Sequence, residues 1–259
     1  MILAIDVGNT NIVIGCMEGK KVLFTERLST DKVKTSLEYA ILFRVALDLH
    51  KVDPEGLEGA IISSVVPPIT PVIRTALRKI TGKKAIVLGP GTRTGLSIRI
   101  DDPSSVGADL VAGAAGALAK YQPPLVVIDM GTATTLSVVD KDSNYIGGAI
   151  MPGLRLGLSS LVSETSMLSG ISLDLPKHAI GHNTVDAMRS GLVYGHAAMI
   201  DGLLDRMEEE MGRELTAIAT GGLASSVVPV CRHEIILDKT LLLTGMQVIY
   251  EKNTYTGSS

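Results

Sequence analysis

Apolar and polar positions fall in short blocks along this chain. It opens on Met1-Ile2-Leu3-Ala4-Ile5, breaks at Asp6, crosses the small polar stretch Gly8-Asn9-Thr10-Asn11, and returns to Ile12-Val13-Ile14. An apolar run, a tight turn and a returning β-branched run predict two antiparallel strands. The same grammar recurs at Val127-Ile128-Asp129-Met130-Gly131-Thr132-Ala133-Thr134-Thr135-Leu136-Ser137. Asp129 follows Asp6 by 123 residues, close to half of the 259-residue chain. The echo predicts two similar halves sharing a cleft, residues 1–121 and 122–259, with the terminal helix packing back on the first.

Between the echoes the pattern alternates between helix and strand periods. Val33, Leu37, Ala40, Ile41 and Val45 recur at helical spacing after the capping candidates Ser29 and Thr30. The run from Ala60 to Val66 predicts a buried strand ended by Pro67-Pro68. A helix from Val72 to Ile80 and a strand from Ala85 to Leu88 follow, as in a partly parallel α/β layer. In the second half, a long helix is expected from Thr184 to about Met211, with Met188, Leu192, Met199 and Leu203 as its apolar stripe. A strand from Leu215 to Ala219 runs into Thr220-Gly221-Gly222. Leu241 to Lys252 predicts a last helix, and Asn253 to Ser259 a frayed polar tail.

Composition narrows the class without naming an activity. Apolar residues make up 46% of the chain, ample for a sizeable core. A formal charge of −3 and a pI near 6.0 offer no electrostatic basis for nucleic acid or membrane as partner. Cys16 and Cys231 lie far apart, outside disulfide or zinc spacing, which suits reducing cytoplasm. No run reaches the roughly 20 apolar residues that span a bilayer. His178 and His182 are four apart, but Pro176 and Gly181 predict a loop there, not a zinc-binding helix face. Glu208-Glu209-Glu210 reads as a solvated helix end. Gly191 and Gly195 lie one helical turn apart and permit close backbone approach, by default within the chain.

The two turns carry the chemistry. Asp6 and Asp129 each close an apolar strand, where a carboxylate needs a cation or hydrogen-bond donors. Gly8 and Gly131 allow close backbone approach, while Asn9, Thr10, Asn11, Thr132 and Thr134 offer short donors. A single Asp-x-Gly turn is ordinary hairpin chemistry, but its repetition at half-chain spacing points to a pair of phosphate grips, one aspartate reaching Mg²⁺. No Walker-type or dinucleotide fingerprint competes for the nucleotide. A third aspartate stands in Gly107-Ala108-Asp109-Leu110, opening a small-residue helix. A carboxylate there is either a helix cap or a base for an attacking hydroxyl.

The paired turns and Thr220-Gly221-Gly222 resemble the phosphate and adenosine motifs of the actin, sugar kinase and Hsp70 superfamily. That resemblance implies an α/β fold of two ribonuclease H-like (actin-like ATPase) domains facing a central cleft. The succession Asp-Val-Gly-Asn-Thr-Asn, Gly-Ala-Asp, Asp-Met-Gly-Thr-Ala-Thr, Gly147-Gly148-Ala149-Ile150-Met151-Pro152-Gly153 and Gly181-His182-Asn183-Thr184 resembles the type III pantothenate kinases over residues 1–252. The resemblance implies ATP-dependent phosphorylation of pantothenate, with Asp109 as base. It implies that Asp6, Val7, Gly8, Asn9, Thr10, Asn11, Ile12, Val13 and Thr132 hold ATP, and that Asp129 binds a monovalent cation, K⁺ or NH₄⁺. Such a cation would offset the charge of the acidic residues and the triphosphate. Asp6 falls to the magnesium side, directly or through water. Acceptor contacts map onto Gly107, Ala108, Asp109, Leu110 and Thr184, and a homodimer is implied near Thr184. Many relatives have arginine where this chain has Leu110, and Arg99 and Arg155 are alternative carboxylate anchors. Two other readings stay open at this point: a superfamily kinase acting on a sugar or other small hydroxyl compound, and a nucleotide-gated regulatory module.

Overall fold

The computed structural model describes residues 1–254, so the frayed tail expected at 255–259 lies outside the described residues. In chain order the elements are β1 (Ile2–Val7), β2 (Asn11–Glu18), β3 (Lys21–Ser29), α1 (Ser36–Leu49), β4 (Gly59–Ser64), α2 (Thr70–Thr81), β5 (Ala85–Val87), β6 (Ser97–Ile98) and α3 (Ala108–Leu118). They continue as β7 (Leu125–Met130), β8 (Ala133–Val139), β9 (Asn144–Pro152), α4 (Leu154–Glu164), α5 (Thr184–Met211), β10 (Thr216–Thr220), α6 (Ala224–Val227), β11 (Ile235–Leu237) and α7 (Leu241–Thr254). Two compact units result. One comprises Met1–Ser97, Asp101–Lys120 and the chain from Thr240 onward; the other comprises Ile98–Ile100 and Tyr121–Lys239.

Both units carry the same sheet. The first runs β3-β2-β1-β4-β5 and the second β9-β8-β7-β10-β11, with β6 added beyond β9. In each, an antiparallel meander of three strands is extended by two parallel ones. Burial repeats as well: β1 and β7 share one succession of buried and half-buried positions, as do β2 from Asn11 and β8 from Ala133.

In the first unit, Leu3, Ile5, Val7, Ile12 and Ile14 meet Tyr39, Phe43 and Leu47 of α1 and Ile73 and Leu77 of α2. The other sheet face is covered by α7, whose Leu243 and Tyr250 side chains reach the backbone at Gly15 and Gly59. Helices α3 and α7 touch backbone to backbone: a Cβ on Gly116 would strike the Leu241 carbonyl, and one on Gly245 the Ala112 carbonyl. The second core joins Val126, Ile128, Met130, Leu136 and Val138 to Val193, Ala197, Ile200 and Leu204 of α5.

Four expectations are corrected. Helix α1 is capped by Thr35 in a reciprocal box with Glu38, not by Ser29 or Thr30, because β3 continues to Ser29. Of its expected stripe only Ala40 is buried: Leu37 is 58% and Ile41 54% exposed, while Tyr39, Phe43, Ala46 and Leu47 join Ala40 in the core. The helix carries two apolar faces, and the sheet took the one with the aromatic rings, which bury more area. In α5 the buried line is Met188, Val193, His196, Ala197, Ile200 and Leu204, leaving Met199 46% exposed. At the other end, Asn253 and Thr254 continue α7, with the Asn253 amide donating to the Ile249 and Arg93 carbonyls.

Candidate active site

Asp6 is the penultimate residue of β1, facing Val13 on β2 and Ser63 on β4. The buried Ser63 hydroxyl donates to Asp6 Oδ1 at 2.9 Å, one of the contacts a half-buried carboxylate needs. Beyond it the Gly8 N–H donates to the Asn11 carbonyl at 3.0 Å, closing a turn that leaves Asn9 and Thr10 exposed. Thr30 holds this turn from the third strand: its N–H donates to the Thr10 carbonyl at 2.9 Å and its hydroxyl to the Gly8 carbonyl at 2.6 Å. Val7 and Ile12 are wholly buried, so their side chains belong to the core and only their backbone faces the turn; Asn11 and Val13 are half-buried.

Asp129 repeats the position of Asp6 on β7, between Thr135 of β8 and the buried Thr220 of β10. Among the described residues Thr135 Oγ1 is buried without a hydrogen-bond partner. Gly221 has φ +94°, and a Cβ there would come within 2.6 Å of Asp129 Oδ1, so the backbone conformation and the close approach both require glycine. The Gly131 N–H donates to the Ala133 carbonyl at 3.0 Å, and the carbonyl of exposed Thr132 accepts the Gly153 N–H at 3.1 Å.

The two turns are not superimposable residue for residue. Asp6 faces Val13, but Asp129 faces Thr135 and not Leu136, the residue 123 beyond Val13. The second turn is therefore one residue shorter, and Thr132 is the counterpart of Thr10. Both carbonyls accept from the first residue after the third strand, Thr30 in one unit and Gly153 in the other.

Asp109 lies in the first turn of α3, whose N-cap Gly107 supplies no side-chain cap. A Cβ on Gly107 would collide with Asp109 Oδ1 and sit 3.6 Å from Val65 Cγ1. Val65 donates its N–H to the Val7 carbonyl at 3.1 Å. The start of α3 thus stands at the carboxyl end of β1 and β4, the end from which the Asp6 turn springs and where open α/β sheets bind ligands. Burial pushes the Asp109 carboxyl above its ordinary range, opposed by peptide N–H groups including that of Leu110, which donates to Oδ1 at 2.8 Å. A carboxylate raised in this way is suited to accept a proton. Ala108 and Leu110 beside it are half-buried.

Thr184 is exposed at the first position of α5, after the N-cap Asn183, whose side chain accepts the Asp186 N–H at 2.9 Å. Arg99 and Arg155, the alternative anchors, are exposed on the second unit. His178 and His182 lie in irregular chain before α5, and among the described residues no group of three or more His, Cys, Asp and Glu is placed to hold a metal ion. Sequence reasoning missed Ser63 and Thr30, which reach the first turn from β4 and the end of β3. Gly153 and Gly221 stood within motifs it had noted, without the contacts that make them glycine.

The sequence model of the type III pantothenate kinase family matches residues 2–206. A type III pantothenate kinase of Exiguobacterium sp. (strain AT1b) is 42% identical over 98% of this chain and 99% of its own. That of Moorella thermoacetica is 37% identical over 98% of this chain and 100% of its own. Among solved structures, a candidate Baf family transcriptional activator from Campylobacter jejuni matches at TM-score 0.62 and 20% identity, over 97% of this chain and 98% of that one. The activator of 2-hydroxyisocaproyl-CoA dehydratase from Clostridium difficile, solved with bound ADPNP, matches at 0.54 and 14% identity, covering 100% and 99% of the two chains. The ROK hexokinase of Thermus thermophilus matches at 0.50 and 13% identity, over 98% and 99%. At such identities the solved structures show the shared fold.

Proposed function

The chain belongs to the type III pantothenate kinase family and phosphorylates pantothenate with ATP, a step of coenzyme A biosynthesis; from that premise we propose how its residues divide the work. Asp109 is the base. As the acceptor hydroxyl oxygen bonds to the γ-phosphorus, its proton passes to the Asp109 carboxylate. The bond from that phosphorus to the β,γ-bridging oxygen breaks, and ADP leaves. The observation carrying this reading is a carboxyl raised by burial at the carboxyl end of the strands that bear the Asp6 turn.

The turns Gly8–Asn11 and Gly131–Thr132 grip the phosphates with peptide N–H groups and the short donors Asn9, Thr10, Asn11 and Thr132. The kinase reaction calls for a divalent metal. The oxygen donors of Asp6 and its neighbours fit a hard cation such as Mg²⁺, held by Asp6 directly or through water. When bound, that ion neutralises charge developing on the phosphate oxygens. Asp129, with the orphaned hydroxyl of Thr135 opposite it, is assigned to a monovalent cation. Gly107 to Leu110 and Thr184 are assigned to the acceptor.

A homodimer through α5 is supported by open space beside Gly191 and Gly195, where none of the described residues makes a close approach. Exposed Leu156, Ile180 and Met199 in the same unit support it further. Among the described residues no helix is long and apolar enough to cross a membrane, and the site is assigned to a cytoplasmic enzyme. The test is ADP release from MgATP in potassium buffer with pantothenate as sole acceptor, beside a sugar panel. Pantothenate-dependent turnover is expected; release with a sugar but not with pantothenate would sink the reading.

A further inference from the structure

The second unit contains a buried polar pair, between its sheet and α5, that its twin lacks. Thr134 Oγ1 and His196 Nε2 are 2.8 Å apart, with Thr134 1% and His196 3% exposed. Thr134 pairs with Met130 on the last rung of the hairpin before the Gly131–Thr132 turn, while His196 stands on α5 among Val193, Ala197 and Ile200. In the first unit the matching rung is Val7 with Ile12, both wholly buried and apolar. This repeat therefore folds with an apolar residue at the Thr134 position, and a buried hydroxyl with a buried imidazole is not needed to fill the layer. An apolar pair of similar shape would be about as stable.

The twins differ in a second respect, which complements the first. In the first unit the turn is clamped by the Thr30 hydroxyl on the Gly8 carbonyl, at 2.6 Å. The residue matching Thr30 is Gly153, which has no hydroxyl to give. A Cβ at Gly153 would lie 2.6 Å from the Gly131 carbonyl, so no side chain can supply that clamp. The second turn has lost its hydroxyl clamp from the third strand and gained a hydrogen bond from the helix beneath.

We propose that His196 is a positioning residue for the Gly131–Thr132 turn, acting through its hydrogen bond to Thr134 to hold the last rung of the hairpin at a set height on α5. The inference rests on reading that turn as a nucleotide site. His196 does not touch the reacting groups. With desolvation holding the ring neutral, Nε2 either accepts from or donates to the Thr134 hydroxyl.

The experiment compares the full-length enzyme with Thr134→Val/His196→Leu, which replaces the pair by apolar groups. The expected result is an unfolding midpoint near the parent's, a KM for ATP raised about 3- to 10-fold, the scale of one net hydrogen bond, and an unchanged KM for pantothenate at saturating ATP. His196→Gln, which retains a side-chain nitrogen able to bond to Thr134, should bring the KM for ATP back within about twofold of the parent. A well-folded double variant with the parent's KM for ATP overturns the proposal, as does a Gln variant as impaired as the double variant. Thr132→Ala and Asp129→Asn separate the two levels. If neither alters the KM for ATP, the turn is not the nucleotide site and the inference falls with it. If they do and the apolar pair does not, only the role of His196 fails.

Discussion

Asp109, proposed as the base, carries a stability cost at the residue scale. Its folded-state pKa is raised by burial, so the ionised form is penalised in the native protein. The sign follows: this carboxyl costs no stability below the pKa of the unfolded chain, and the cost grows as pH rises through the folded pKa. Asp109→Asn should therefore melt at a higher temperature than the parent at pH 7, the gain fading as pH falls through the raised folded pKa and gone below about 4, the ordinary carboxylate value. The Asn side chain keeps an acceptor for the Leu110 N–H, so the helix start is preserved. Phosphoryl transfer should fall about 10²- to 10⁴-fold, the usual worth of a positioned base, with ATP binding spared. The acid limb of the parent's kcat/KM profile should sit above the ordinary carboxylate range and be absent from the variant; full turnover by Asp109→Asn would remove this residue as base. Asp109 itself was legible in the sequence as a charged residue opening a small-residue helix. Its desolvation was not, because that depends on Val65 and the start of α3 meeting across the sheet end.

At the scale of elements, backbone proximity and face selection decide stability. Gly116 and Gly245 let α3 and α7 touch through their main chains. Gly245→Ala should cost about 1–3 kcal/mol from overpacking, read as a lowered urea midpoint. The two faces of α1 give a sharper contrast. Phe43→Ala should cost about 3–5 kcal/mol by opening a cavity, whereas Ile41→Lys on the exposed stripe should stay within about 0.5 kcal/mol. The reverse ranking would contradict the helix orientation. Helix period was readable from spacing alone, and so were the bounds of α5. Which of two apolar stripes faces inward was not, since periodicity reports that a face exists and the partner's shape chooses between faces.

For the whole molecule, the proposed dimer and the proposed cation site can each be tested. Gly195→Leu adds a bulky side chain from a Cβ position with no atom of the described residues within 4 Å apart from its own stretch of helix. Light scattering should show a dimer for the parent and a lighter species for the variant; a parent that is monomeric at working concentration would remove the α5 interface. Replacing potassium by sodium should depress turnover in the parent, and Asp129→Asn should abolish the difference between the two buffers. The sequence by itself determined the repeated strand–turn–strand units, the three aspartates and the alternation of helix and strand, because these are local patterns of polarity and turn chemistry. It also carried the family resemblance. Only the tertiary structure decided the one-residue shortening of the second turn, the burial that raises Asp109 and the pairing of Thr134 with His196. Strand register, desolvation and a hydrogen bond spanning 62 residues are contacts between distant segments, and no short window of sequence contains both partners.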